Sequence, residues 1–173
     1  MRLDDRCQSI ELILSDVDGV LTDGGLIFDN QGQELKQFHI RDGMAIHIWQ
    51  RAGNQFGIIT GRSSQMVRLR AAELGVEIVR QGVEEKLTTA LQVIGEAGFA
   101  PEQVCYVGDD LPDLAVIDAV GLGVAVADAA EEVRRTADYI TSVDGGHGAV
   151  REVVELILKN QNCWNDMIRK YGA

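Results

Sequence analysis

Positive charge is scarce in this chain: 16 lysines and arginines stand against 27 aspartates and glutamates, leaving a formal net charge of -11 over 173 residues. A surface that acidic repels polyanions, which argues against general affinity for nucleic acid or an anionic membrane. It leaves room for a small basic pocket that takes an anionic substrate. Cysteine is scarce too. Cys7, Cys105 and Cys163 are odd in number and far apart, with neither a zinc-type spacing nor a disulfide framework. Cys105 lies in an apolar run, residues 104–107, and is expected to be a buried thiol in a reducing cytoplasm. No apolar run is long enough to cross a bilayer, residues 1–8 carry no apolar signal core, and there is no internal repeat or low-complexity tract.

What the chain does have is a globular composition, 46% hydrophobic and 25% charged, at a length that suits one domain with a sizeable core. It is organised around Leu14-Ser15-Asp16-Val17-Asp18-Gly19-Val20-Leu21-Thr22-Asp23-Gly24. The apolar run Ile10 to Leu14 reads as a buried strand. Asp16 falls at its end, Asp18 follows one residue later, and Gly19 lets the chain turn without a Cβ penalty. Ligands of open α/β sheets bind at the carboxyl ends of strands. Two carboxylates held close there need a cation or a shared proton. A hard cation such as Mg²⁺ takes oxygen ligands and bridges carboxylates to phosphate. An Asp so screened can attack phosphorus and form an aspartyl-phosphate.

Next, residues 24–40 hold two short apolar-bearing segments around the turn-forming cluster Asp29 to Gly32, a β-hairpin in need of something to pack on. Asp42 is expected to cap a helix over Gly43 to Ala52, stopped by Gly53. A strand from Gln55 ends in Thr60-Gly61-Arg62, and Ser63 or Ser64 caps a helix running to Leu74. Val76 to Val79 is the next strand, followed by a helix from about Val83 to Ala97 that carries Lys86 near its start. Gln103 to Val107 is a strand ending in Gly108-Asp109-Asp110-Leu111-Pro112-Asp113, with a short helix to Ala119. A strand at Leu122 to Val126, a helix at Ala129 to Thr136, a short strand at Tyr139 to Thr141 and a helix from Ala149 to about Lys159 complete the order. Residues 160–173 are left as helical or frayed. Trp49 fits the core, and Trp164 an anchor for the tail. This alternation implies βαβ units: a single Rossmann-like α/β domain over residues 1–173, with a mostly parallel sheet, helices on both faces and a hairpin insertion after the first strand.

In a parallel sheet the loaded strand ends share one edge, so Asp16 and Asp18, Thr60, and Asp109 with Asp110 and Asp113 form one site, within reach of Lys86. Taken singly, each has an ordinary explanation: a turn, a strand-to-helix junction, a solvated lysine, an N-cap. Together at strand ends in this order they match what phosphoryl transfer requires. Asp16 is the expected nucleophile. Asp18 is the expected acid and base, giving a proton to the departing oxygen and taking one from the attacking water. Asp16, Asp18 and Asp109 are the expected metal ligands, with Asp110 or Asp113 in support. Thr60 and the N–H of Gly61 suit phosphate oxygens, and Lys86 supplies positive charge.

These residues, Asp16-Val17-Asp18-Gly19, Thr60-Gly61-Arg62, Lys86 and Gly108-Asp109-Asp110, resemble the four motifs of the haloacid dehalogenase superfamily of phosphatases. With Arg41-Asp42-Gly43, Val126-Ala127-Asp128-Ala129 and Gly148-Ala149-Val150-Arg151-Glu152, nearly the whole chain is similar to the 3-deoxy-D-manno-octulosonate 8-phosphate phosphatase family. The resemblance implies a domain without a cap and a Mg²⁺ cofactor. It implies a homotetramer assembled through the hairpin, and an acidic keto-sugar phosphate from lipopolysaccharide synthesis as substrate. It also implies substrate contacts at Arg41, Asp42, Gly43, Gly61, Arg62, Arg70 and Lys86, where cations suit a ligand with both phosphate and carboxylate. His47 and His147 stand where the family commonly has arginine, which bears on the identity of the sugar acid.

Three alternatives are set beside this reading. A nononate or sialic acid 9-phosphate phosphatase, or the similar domain attached to acylneuraminate cytidylyltransferases, would share the machinery. A phosphoacceptor signalling domain also combines Asp, Thr, Lys and Mg²⁺, but its acceptor Asp ends the third strand, where this chain has Arg80-Gln81. A non-catalytic subunit would not need the intact set of Asp16, Asp18, Lys86 and Asp109. The paired glycines Gly145-Gly146 suggest a hinge by which the tail folds over the site.

Overall fold

The computed structural model describes residues 2–172, and among these the strands and helices alternate as the pattern requires. In chain order they are α1 (Leu3–Gln8), β1 (Leu12–Ser15), β2 (Ile27–Phe28), β3 (Glu34–Leu35), α2 (Ile40–Arg51), β4 (Gln55–Ile59), α3 (Gln65–Glu73), β5 (Ile78–Arg80), α4 (Lys86–Glu96), β6 (Val104–Gly108), α5 (Leu114–Ala119), β7 (Leu122–Ala125), α6 (Glu131–Thr136), β8 (Tyr139–Ile140), α7 (Ala149–Asn160) and α8 (Trp164–Ile168). Six strands form one sheet in the order β5-β4-β1-β6-β7-β8, every pair parallel. β2 and β3 pair antiparallel as a separate hairpin, Ile27 opposite Leu35. Among the described residues there is one α/β domain and no cap over it.

β1 and β6 are buried along their whole length. That follows from their composition: Leu-Ile-Leu and Val-Cys-Tyr-Val are apolar at successive positions, so both faces must be covered. One group of helices, α1, α2 and α7, packs together, as does a second, α4, α5 and α6. Trp49 of α2 is fully buried and donates from Nε1 to the carbonyl of Gln55 at 2.6 Å. Cys105 is a buried free thiol, raised well above its ordinary value by burial. The topology places β1 at the centre. The chain runs outward from it to β4 and β5 on one side and to β6, β7 and β8 on the other. A crevice at the carboxyl ends forms where the order reverses.

Several local expectations change. α2 begins at Ile40, not Gly43, with extended His39 before it. Asp42 therefore sits inside the first turn, 2% exposed, and does not cap the helix. Its Oδ1 accepts the backbone N–H of Arg151 at 2.8 Å, so it pins α2 to the start of α7. α4 begins at Lys86; ahead of it the N–H of Val83 is bonded to the carbonyl of Thr60 at 3.1 Å. α1 was not foreseen: six residues are too few to display a helical period. It is tied down by Gln161, whose Nε2 donates to the carbonyls of Cys7 and Ile10.

The tail is ordered against the body. Trp164 is buried with the Arg151 guanidinium 4.9 Å from its ring centre, and Arg51 donates to the Tyr171 hydroxyl at 3.1 Å. The expected glycine hinge is instead a tight backbone junction. A Cβ on Gly145 would lie 1.7 Å from the carbonyl oxygen of Gly19, and the N–H of Gly146 donates to the carbonyl of Val20 at 2.8 Å. The glycines are there for close approach.

Candidate active site

A cleft of about 240 Å³ opens at the carboxyl ends of β1, β4 and β6, lined by Asp16, Asp18, Thr60, Gly61, Arg62, Lys86, Asp109 and Asp110 among others. Local structure explains each position. β1 ends at Ser15, so Asp16 is the first residue past the sheet. Its Oδ1 accepts the N–H of Val17 at 2.7 Å. Gly19 adopts φ +96°, and a Cβ there would lie 2.1 Å from Asp109 Oδ2, so only glycine lets the two loops meet. Thr60 follows β4 directly and is buried. Gly61 lies in the loop before α3 and not at a helix start. The cap is Ser64, whose Oγ accepts from the N–H of Met66 at 3.2 Å.

Lys86 is brought 70 residues along the chain to the floor of the cleft. Its side chain is 4% exposed, and Nζ donates to Asp16 Oδ2 at 2.6 Å and to Asp113 Oδ1 at 2.7 Å. Burial works against its charge, but Asp16 and Asp113 outweigh burial and hold Lys86 above the ordinary lysine range. Asp16 is pushed up to about 6, chiefly by burial, with Lys86 opposing. Asp109 is pushed up to about 8 by burial and by the charges of Asp16 and Asp113.

Asp16, Asp109 and Asp113 each present a carboxylate oxygen within 4.8 Å of the others. The oxygens differ in what they already hold. Asp113 Oδ1 accepts from Lys86 and from the Tyr106 hydroxyl at 2.6 Å, and its Oδ2 accepts the N–H groups of Asp109 at 3.1 Å and Asp110 at 3.3 Å. Four donors saturate that carboxylate. Asp113 is thus the anchor of the loop, while Asp109 Oδ1 is buried with no hydrogen-bond partner. A buried orphan carboxylate oxygen facing a second carboxylate fits a small hard cation. Asp16 and Asp109 are the pair able to hold one.

The remaining expectations divide. Asp18 lines the cleft, but its carboxylate is outside that cluster: Oδ1 is ion-paired with Lys36 of the hairpin, and Oδ2 lies 3.8 Å from Arg62 Nε. Arg62 also lies in the cleft and reaches Glu34 at 3.0 Å. Asp110 caps Leu111, accepting its N–H at 2.8 Å, so of the two supporting aspartates it is Asp113 that is buried beneath the site. Arg41, Asp42, Gly43 and Arg70 are not part of the cleft within this chain. Arg41 is exposed on α2, Asp42 is the pin to α7, and Arg70 pairs with Glu73 at 2.8 Å over Gly43. His47 is exposed, and His147 Nδ1 is bonded to the Gly145 carbonyl at 2.8 Å.

Sequence reasoning overlooked Lys36 and Tyr106. A signal for Lys36 existed: Glu34 and Lys36 alternate with Leu35, so the two charges share a face of the hairpin strand. Nothing local marks Tyr106, an aromatic in an apolar strand.

The haloacid dehalogenase-like hydrolase family matches residues 70–153. The 3-deoxy-D-manno-octulosonate 8-phosphate phosphatase of Escherichia coli is 45% identical over 156 residues, 90% of this chain and 83% of that protein. The crystal structure of the Moraxella catarrhalis enzyme of that name, in complex with magnesium ion, phosphate ion and KDO, superposes with a TM-score of 0.95 at 42% identity, covering 97% of each chain. A cobalt-bound form of the Haemophilus influenzae phosphatase gives 0.88 at 40% identity, over 91% of this chain and 92% of that one. With similarity this high across nearly its whole length, the chain belongs to the 3-deoxy-D-manno-octulosonate 8-phosphate phosphatase family of the haloacid dehalogenase-like hydrolases.

Proposed function

We propose that the protein is a Mg²⁺-dependent phosphomonoesterase that hydrolyses 3-deoxy-D-manno-octulosonate 8-phosphate through an aspartyl-phosphate on Asp16. The observation that carries this reading is Asp16 in the cleft, gripped by buried Lys86 and close to Asp109, whose Oδ1 has no hydrogen-bond partner. Held between Asp16 and Asp109, the cation would neutralise phosphoryl charge and screen the attacking carboxylate. The chain's own groups supply the rest. The N–H of Val17 and Lys86 orient the Asp16 carboxylate for in-line attack. Lys86, Thr60 and the Gly61 N–H receive the phosphoryl oxygens, and Arg62 adds charge at the rim. Asp18 gives its proton to the departing sugar oxygen. It then takes one from the water that hydrolyses the intermediate. Asp113, saturated by four donors, keeps Lys86 and the Asp109 loop in register.

Homotetramer formation through the hairpin is part of this reading. It is supported by Leu26, Ile27, Phe28 and Leu35, which are each 50–55% exposed on the hairpin. A neighbouring subunit would give Arg41 and Arg70 a route to the sugar acid that the single chain lacks. A cytoplasmic setting is also part of it, and the free thiols Cys7 and Cys105 agree.

The test is phosphate release with Mg²⁺ from the octulosonate 8-phosphate, nononate 9-phosphates and hexose phosphates, with Asp16→Asn as control. Preference for the octulosonate ester, abolished in the variant, is the expected result. Preference for a nononate ester would move the substrate while keeping the mechanism. No turnover on any ester would overturn the enzyme reading.

A further inference from the structure

Asp128 belongs to Val126-Ala127-Asp128-Ala129, a stretch with no part in the chemistry above. It lies in the connection from β7 to α6 and is exposed, yet its Oδ1 accepts the N–H of Gly145 at 2.9 Å, 17 residues along the chain. Gly145 in turn backs onto Gly19, whose carbonyl oxygen would lie 1.7 Å from a Cβ on Gly145. Gly19 itself packs closely on the Asp109 carboxylate, since a Cβ there would lie 2.1 Å from Oδ2. The carbonyl of Asp109 accepts the N–H of Ala130 at 2.8 Å, which returns the path to the neighbourhood of Asp128. Asp109 thus sits in a closed ring that runs through Gly19, Gly145, Asp128 and Ala130.

Asp16 and Asp109 stand on separate loops, after β1 and β6, and like charges drive them apart until a cation joins them. The ring ties the Asp109 loop to the β1 loop from behind, and the N–H of Gly146 adds a bond to the carbonyl of Val20 at 2.8 Å. Its other links are backbone contacts, backbone hydrogen bonds and Asp109 itself. Asp128 is therefore the link that a side-chain substitution can cut without altering the lining of the cleft.

We infer that Asp128 is a positioning residue for the cation pair, bracing Gly145 against the β1 loop so that Asp16 and Asp109 hold their spacing before Mg²⁺ arrives. This inference rests on the reading of Asp16 and Asp109 as metal ligands. Ligands already in place bind more tightly, because the metal does not have to draw them together. Partners that hold a ligand directly are worth about 10–100-fold in metal affinity, and Asp128 acts one link further out, so about tenfold is expected.

Two simpler roles make different demands. A negative charge near the metal would act by its charge alone. An ordinary turn-stabilising aspartate would add stability and leave metal affinity untouched. Asp128→Asn keeps the acceptor oxygen and drops the charge, while Asp128→Glu keeps the charge and moves the acceptor one methylene along. Asp138 supplies the control: its Oδ2 accepts the N–H of Gly123 at 3.0 Å in the same manner, but outside the ring.

The experiment measures Mg²⁺ binding by calorimetry, with melts in EDTA, for wild type, Asp128→Ala, Asp128→Asn, Asp128→Glu and Asp138→Ala. The Mg²⁺ Kd should rise about tenfold in Asp128→Ala and Asp128→Glu, and stay within about twofold of wild type in Asp128→Asn and Asp138→Ala. Both alanine variants should melt lower in EDTA. If Asp128→Ala does not fold, the contrast between Asp128→Asn and Asp128→Glu decides alone. Equal weakening in Asp128→Ala and Asp128→Asn would assign the effect to charge, and an unchanged Kd in Asp128→Ala would leave only a turn; either overturns the inference. Wild type that takes up no Mg²⁺ would overturn the parent reading instead.

Discussion

Replacing Asp109 by Asn should stabilise the protein in the absence of divalent cations, and by more as the pH rises. Asp109 is half-buried with its Oδ1 unpartnered, close to Asp16 and Asp113, and its carboxyl is pushed up from 3.8 to about 8. An unfolded chain releases that proton near pH 4. Between roughly pH 4 and pH 8 the folded protein therefore holds a proton that the unfolded one has lost, and stability falls as pH rises through this window. Up to pH 7 the gap is roughly three units at ~1.4 kcal/mol each, a ceiling of about 4 kcal/mol. Asp16, pushed up to about 6, shares the same repulsion, so the two shifts do not add. About 2 kcal/mol is the reasonable size after that discount. For a chain of this length it corresponds to a rise in Tm of about 4–8 °C. The assay is a thermal melt by circular dichroism in EDTA, in steps from about pH 5 to about pH 8.5. Wild type and Asp109→Asn should lie closest at the acid end and diverge progressively up to about pH 8, the variant being the more stable. Mg²⁺ should then raise the wild-type Tm far more than that of the variant. An Asp109→Asn protein that is equally or less stable at about pH 8 in EDTA would refute the electrostatic account of the site.

Lys86→Met should abolish turnover and cost about 3–5 kcal/mol in urea denaturation, because Asp16 and Asp113 lose their shared buried cation. Tyr106→Phe, which deletes only the hydroxyl bonded to Asp113, should cost about 1–3 kcal/mol by the same assay while leaving the sheet intact. Gly145→Ala would drive a Cβ into the Gly19 carbonyl and should lower both Tm and activity. Gly95→Ala, in open space within α4, should instead add about 0.5–1 kcal/mol.

The alternation of apolar runs with capped periodic segments was enough to give the order of elements and the parallel sheet. The cause is local: strand and helix periods, glycine stops and the Ser64 cap are written within a few residues of where they act. For the same reason Asp16, Thr60 and Asp109 could be assigned to one edge, since strand ends of a parallel sheet have nowhere else to go. Boundaries were less secure. α2 starts two residues before its apparent cap because tertiary packing buries Asp42, and β6 extends through Gly108 because it pairs with Ala125 of β7.

What only the folded chain decided is how the charges are shared. Lys86 meets Asp16 across 70 residues, Asp42 meets Arg151 across 109, and Lys36 meets Asp18 across 18. No spacing rule encodes such encounters, because each depends on how far a long side chain reaches once several elements have packed. Asp113, saturated by donors from three different elements, became an anchor and left Asp109 with the free oxygen, although the two carboxylates are chemically identical. Composition and period settled where the backbone goes. Burial and the supply of hydrogen-bond donors, set by the whole structure, settled which carboxylate has an oxygen to spare for chemistry.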